Sequence, residues 1–173
     1  MATERIIIDG QEMETLKELL RPNLKAIFIW LNPSPSSVAK EHYFQGRLGR
    51  RFWQRLQEYG IVAGLMQGRE DDDAFAQGFG FADLVRRPTP NAKHLRTSEK
   101  RAAVDDLLHR PSKGRGRPKI IFVYKEAARW AQTSLEASDI KCTVRLRRIC
   151  NWIRSLAECS NSSELLTIDY VGL

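Results

Sequence analysis

Residues 26–37 read AIFIWLNPSPSS, an apolar run that ends in an amide and a stiff polar turn. The amide of Asn32 accepts through its oxygen and donates through its nitrogen without carrying charge, so it can hold a water or a neutral polar group. Pro33 and Pro35 restrict the loop behind it. Ser34, Ser36 and Ser37 supply short donors and nearby backbone N–H groups, able to cradle a phosphate or a carbonyl edge. The bland reading of Asn-Pro and Ser-Pro is ordinary turn chemistry. Asp83 interrupts a second apolar stretch, GFGFADLV at 78–85. Ionised, it accepts only; protonated by burial, it would both accept and donate. A salt bridge to Arg86 or Arg87 is its simpler use. His42, His94 and His109 form no metal or triad pattern. Cys142, Cys150 and Cys159 lack CxxC spacing, which argues against zinc and against a disulfide framework. Neither metal nor cofactor is expected.

The elements that would position these groups can be read from periodicity. Residues 10–20 have helical spacing (Met13, Leu16, Leu19, Leu20) and stop at Arg21-Pro22, predicting a helix. LKAIFIWL (24–31) is a continuous apolar run of strand length and predicts a buried strand. Residues 51–59 read as a helix stopped by Gly60, 78–85 as a strand, and 98–109 as a helix with Ser98 as N-cap. KIIFVY (119–124) predicts another buried strand, followed by helical EAARWAQTSLEA (126–137). Strands alternating with helices imply crossover units and a mainly parallel sheet, in which ligands bind beyond the carboxyl ends of the strands. Asn32, residues 83–91 and Lys125 all fall at that end. Within 140–173, an atypical segment richer in Arg, Ser and Cys, CTVRLRR (142–148) and ELLTIDYV (164–171) each read as strands and ICNWIRSLAEC (149–159) as a helix.

The chain of 173 residues is 42% hydrophobic and 28% charged, the composition of one globular domain spanning 1–173. No apolar stretch approaches the roughly 20 residues that span a bilayer, and MATERIII is no signal peptide, so an intracellular, cytoplasmic protein is expected. The net charge of +7 points to polyanionic partners. Arginines crowd GRLGRRFWQR (46–55), HRPSKGRGRPK (109–119) and VRLRR (144–148), although a solvated face explains any one cluster as well.

Several stretches, in order, resemble the uracil-DNA glycosylase superfamily, closest to its mismatch-specific uracil/thymine branch. LNPSPSS (31–37) looks like the first motif, a strand ending in Asn-Pro and small residues. HYFQGRLGRRFW (42–53) is similar to the next segment, aromatics followed by Arg-Phe-Trp opening a helix. GFGFADLVRRPTP (78–90) resembles the second strand and its Arg-Pro-Thr exit, and IIFVYKEAARW (120–130) the third strand and its helix. The resemblance covers residues 24–132. It implies a three-layer α/β/α sandwich with a central, mainly parallel four-stranded sheet, and a metal-free monomer that flips uracil or a related base out of DNA and hydrolyses its N-glycosidic bond.

By that resemblance Asn32 positions the water that attacks the sugar, and Asp83 meets the base's polar edge, where other members often carry Asn. Leu31, Pro33, Ser34, Tyr43, Phe44 and Phe81 fall around the base, with Phe44 preferred over Tyr43 as the stacking ring. Ser36, Ser37, Arg47, Arg50, Arg51, Arg87 and Lys93 fall toward the DNA backbone. The family's second motif, a Pro-Ser turn preceded by His or Asn, does not follow residue 132. Either this branch dispenses with it or the C-terminal segment has been replaced. A glycosylase fold that only binds DNA, or one that acts on hypoxanthine or xanthine, are the alternatives. KGRGRPK (113–119) resembles a minor-groove hook, but reads more simply as a basic connector into KIIFVY.

Overall fold

A computed structural model describes residues 3–109, 119–137, 142–147 and 166–171. The chain is mixed α/β, built on a parallel sheet with helices. It opens with a hairpin, β1 (Thr3–Ile8) and β2 (Gln11–Leu16), paired so that Ile8 faces Gln11. This corrects the helix expected over 10–20. Asp9 and Gly10 both take positive φ, 52° and 76°, the two-residue turn that matches strand twist and that Asp-Gly favours. Arg86 donates to Glu4 at 2.6 Å and the Thr15 hydroxyl to the Arg86 carbonyl at 2.7 Å, fastening the hairpin to the body.

The sheet is formed by β3 (Ala26–Trp30), β4 (Phe79–Asp83), β5 (Lys119–Phe122), β6 (Cys142–Arg147) and β7 (Leu166–Val171), in the order β4-β3-β5-β7-β6 with every pairing parallel. Both C-terminal candidates are strands, so the sheet holds five where four were expected. The outer edge of β4 is not bare: Leu19 and Phe81 exchange backbone hydrogen bonds of 2.9 and 3.1 Å.

Alternation along the strands divides the core. Phe28, Phe81 and Ile121 pack with Phe52, Trp53 and Leu56 of α2 (Arg47–Glu58) and Ala74 of α3 (Glu70–Ala76). Ile29, Ala82 and Phe122 pack with Val104 of α4 (Thr97–His109) and Ala127, Ala128 and Ala131 of α5 (Lys125–Ala137). Neighbouring residues of one strand thus serve opposite faces, which is why these strands read as unbroken apolar runs. Among the described residues no helix is long and apolar enough to cross a membrane. The helix expected at 149–159 and most of the hook-like segment lie outside the described residues.

The order of strands fixes where a ligand belongs. From β3 the chain moves to β4 on one side, whereas after β5 it moves to the other. The neighbours β3 and β5 therefore part at their carboxyl ends, and a crevice opens there.

Candidate active site

A cavity of about 410 Å³ lies at that crevice. It is lined by the turn after β3, the end of β4 with residues 89–92, the start of α2, and Tyr124 after β5. Its volume falls within the ~300–1,000 Å³ usual for small-molecule sites.

Asn32 is 9% exposed at the cavity wall. Its Nδ2 donates to Thr89 Oγ1 at 2.8 Å, to the Pro33 carbonyl at 3.0 Å and to the Arg87 carbonyl at 3.3 Å. Carbonyls only accept, so the amide must present nitrogen to them and oxygen away. The Thr89 hydroxyl spends its one proton on the Asn91 carbonyl at 3.0 Å, which leaves a lone pair for Asn32. Among the described residues Oδ1 has no hydrogen-bond partner. The arrangement is built by extending the strand ladder: Leu84 N–H donates to the Trp30 carbonyl, Val85 N–H to Leu31 and Thr89 N–H to Pro33, at 2.8, 2.9 and 3.1 Å.

The serine loop folds into a short helix, α1 (Pro35–Ala39), with Ser34 as N-cap and Pro35 in the first turn. Ser34 Oγ accepts from Ser37 N–H at 3.1 Å and lies 3.0 Å from both the Ser36 and Ser37 hydroxyls. Ser37 is buried, and its hydroxyl accepts from Gln45 N–H at 3.4 Å. Capping has drawn it inward; of the two serines expected at the DNA backbone only Ser36 is exposed.

Tyr43 and Phe44 lie on a loop held from behind. Asp71 accepts from Tyr43 N–H through one oxygen and lies 2.8 Å from His42 Nδ1 through the other. Burial pushes the Asp71 carboxyl up from its ordinary value, and the Tyr43 N–H and His42 pull it back. His42, Asp71 and Asp72 form a ligand-like group of three, yet both Asp71 oxygens already serve this loop. Phe44 takes φ 58°, rare for a bulky side chain. Its carbonyl sits so near Gly49 of α2 that a Cβ there would lie 1.7 Å from the oxygen. The Phe44 ring packs 4.9 Å from Trp30 and 4.8 Å from Phe52, leaving 8% exposure at the cavity. Trp30 also stacks with Tyr124 at 6.3 Å and 21°, and Tyr124 is 39% exposed. Trp30 and Tyr124 thus offer the more accessible aromatic faces, and sequence reasoning named neither.

Asp83 ends β4 opposite Trp30, 4% exposed, and lines the cavity. Arg86 and Arg87 have acid partners of their own: Glu4 for the first, and for the second Glu99, engaged at 2.6 and 3.0 Å by two nitrogens of one guanidinium. That bidentate pair holds the Glu99 carboxyl at about 2 and already compensates the Arg87 charge expected on the DNA backbone. Tyr43 is buried, and burial first, then the charge of Asp83, push its phenol well above its ordinary value, so the hydroxyl stays protonated.

The structure gathers Leu31, Asn32, Pro33, Ser34, Tyr43 and Phe44 around the cavity, with Asp83 and, at the rim, Ser36 and Arg47. Phe81 is not among them. It is fully buried in mid-strand, 5.8 Å from Phe28 and 5.3 Å from Trp53, because its register turns it into the α2 face of the core. Arg50, Arg51 and Lys93 are exposed outside the cavity. Thr89 is the other residue the sequence reading passed over; the Arg-Pro-Thr exit was visible, but the hydroxyl's partner lies 57 positions away. No family model matches the chain.

Proposed function

We propose that this chain is a DNA glycosylase that extrudes uracil, or a related deaminated base, and hydrolyses its N-glycosidic bond without a metal. The observation that carries the reading is the Asn32 amide: its nitrogen is tied to three acceptors, so its oxygen is the free end at the cavity. Cleavage builds positive charge on the sugar and negative charge on the departing base. A fixed neutral acceptor can aim a water at the sugar without needing to become a base. Trp30, Phe44 and Tyr124 supply rings of the kind on which an extruded base stacks, an interaction worth roughly 1–3 kcal/mol.

The finer architecture belongs to the same proposal. Apolar clusters on both faces of the sheet support a three-layer α/β/α sandwich of the glycosylase type, acting as a monomer on DNA. Arg47, Arg50 and Arg51 are exposed and, among the described residues, have no acidic partner. They lie on the first turns of α2, whose N-cap Gly46 offers no side chain and whose first turn holds no acid. That end suits phosphate.

The test is incubation with a uracil-containing oligonucleotide followed by alkali. Strand scission that disappears in Asn32→Ala is the expected result. Tight, salt-sensitive binding without release of base would replace the reading by that of a non-catalytic DNA-binding module, which the unpaired arginines would serve equally well.

A further inference from the structure

Among the described residues five large apolar side chains are exposed, and two of them, Tyr124 and Leu48, line the same cavity. Exposure rises along its wall from Asp83, Phe44 and Asn32, at 4, 8 and 9%, to Tyr124 at 39% and Leu48 at 46%. The buried three form the floor, and Tyr124 and Leu48 stand at the mouth. Tyr124 is held there in advance. The Val123 N–H donates to the Ile29 carbonyl at 2.9 Å, and the Tyr124 carbonyl accepts from Ala128 N–H at 3.2 Å at the start of α5. Its ring lies 21° from parallel to Trp30 with 6.3 Å between centroids, and Trp30 in turn packs on the buried Phe44. A ring fixed from behind and exposed in front loses little entropy when something planar settles on it.

Resting on the glycosylase reading, we infer that the cavity draws its nucleotide from an unpaired strand, and that the base next to the extruded one stacks on Tyr124. A base seated against Asn32 and Asp83 fills the floor, so the ring at the mouth meets its neighbour. In a duplex that neighbour is held by its pairing partner and by the stack, and cannot swing a face onto a cavity wall. In a single strand it turns freely, and no pair has to be broken to extrude the base beside it. The backbone finds a matching surface in Arg47 at the rim and in Arg50 and Arg51 one turn along α2, all exposed and without acidic partners among the described residues. An aromatic platform beside a cationic track holds single strands of any sequence, because every base has a π-face. The competing use of the mouth is Leu48, an apolar side chain able to enter a duplex stack as a wedge. The ring of Tyr124, however, is what a duplex would leave idle.

The experiment measures binding, by fluorescence anisotropy, and base release for wild type and Tyr124→Leu. The substrate is one uracil-containing sequence, offered as a single strand and as a duplex at the same salt. Wild type should bind and act on the single strand about tenfold better. Tyr124→Leu should lose about tenfold on the single strand and less than about twofold on the duplex, closing the gap, whereas Tyr124→Trp should keep it. A second arm places an abasic residue on each side of the uracil in turn. On one side it should cost wild type the same factor and cost Tyr124→Leu nothing further, since ring and base are two halves of one contact. A wild type that prefers the duplex, above all if Leu48→Ala weakens it there, overturns the inference and leaves the glycosylase reading standing. So does a Tyr124→Leu variant that weakens both substrates equally, or a wild type indifferent to the abasic neighbour on either side. Release of base from neither substrate overturns the glycosylase reading, and the binding measurements still decide the stack.

Discussion

Asn32 is defined by what its nitrogen is denied. Three acceptors surround Nδ2, and each must be lost or moved before the amide can turn over. Thr89 is the one of the three that substitution can remove, and its hydroxyl is oriented by the Asn91 carbonyl. Thr89→Val keeps the shape and deletes the hydrogen bond. It should cost about 1 kcal/mol of stability and, on the proposed reading, lower kcat roughly five- to tenfold with little change in KM, because the amide is loosened while the rest of the pocket stays. Single-turnover excision kinetics beside thermal melts would check both. Neither Thr89 nor the burial of Phe81 could be read from the chain. Asn32 announced itself as a polar residue ending an apolar run and Asp83 as an acid inside one, whereas a hydroxyl whose partner is remote, or an aromatic whose face depends on register, shows nothing locally.

At the scale of elements, β3, β4 and β5 were legible because strands covered on both faces need uninterrupted apolar sequence, and α2, α4 and α5 because amphipathic spacing and end signals agreed. The hairpin was not. Met13, Leu16, Leu19 and Leu20 imitate helical spacing, but Asp9-Gly10 after three isoleucines is the stronger signal, since it satisfies a turn with two positive φ values. The acid run at 70–73 forms the first turn of α3, where negative charge meets the positive end of the helix dipole. Two predictions belong here. Gly→Ala inside a helix ordinarily stabilises, yet Gly49→Ala places a methyl carbon 1.7 Å from the Phe44 carbonyl oxygen. The variant should lose roughly 2–3 kcal/mol, melt about 5–10 °C lower, and release Phe44 from its left-handed backbone. Near-ultraviolet circular dichroism would report the aromatic cluster. The second concerns Glu99, whose carboxyl is lowered from 4.5 to about 2 by the Arg87 guanidinium and then by the Arg96 N–H, against the pull of burial. A lowered acid stabilises the folded state above its unfolded value and loses that effect as pH falls. The melting-temperature gap between wild type and Glu99→Gln should be full at pH 6, shrink below about 4.5 and close near 2.

For the molecule as a whole, charge decides how partners arrive. The net +7 is spread over many pairs, but Arg47, Arg50 and Arg51 are uncompensated among the described residues, and Arg47 lies at the rim of the cavity. On the proposed reading, replacing all three with Gln should weaken DNA binding by a similar factor for every sequence. Their loss should also flatten the dependence of log K on log salt by about 2–3, from the ~0.9 that each neutralised phosphate contributes. Fluorescence anisotropy across a salt series measures it, and base preference should not move. The continuation of the β3–β4 ladder into the loops has a different consequence. It ties the amide that would hold the water to the loop after the adjoining strand, through the Arg87 carbonyl and the Thr89 hydroxyl. On the proposed reading, substitutions elsewhere in the pocket wall would change what is recognised without shifting that amide.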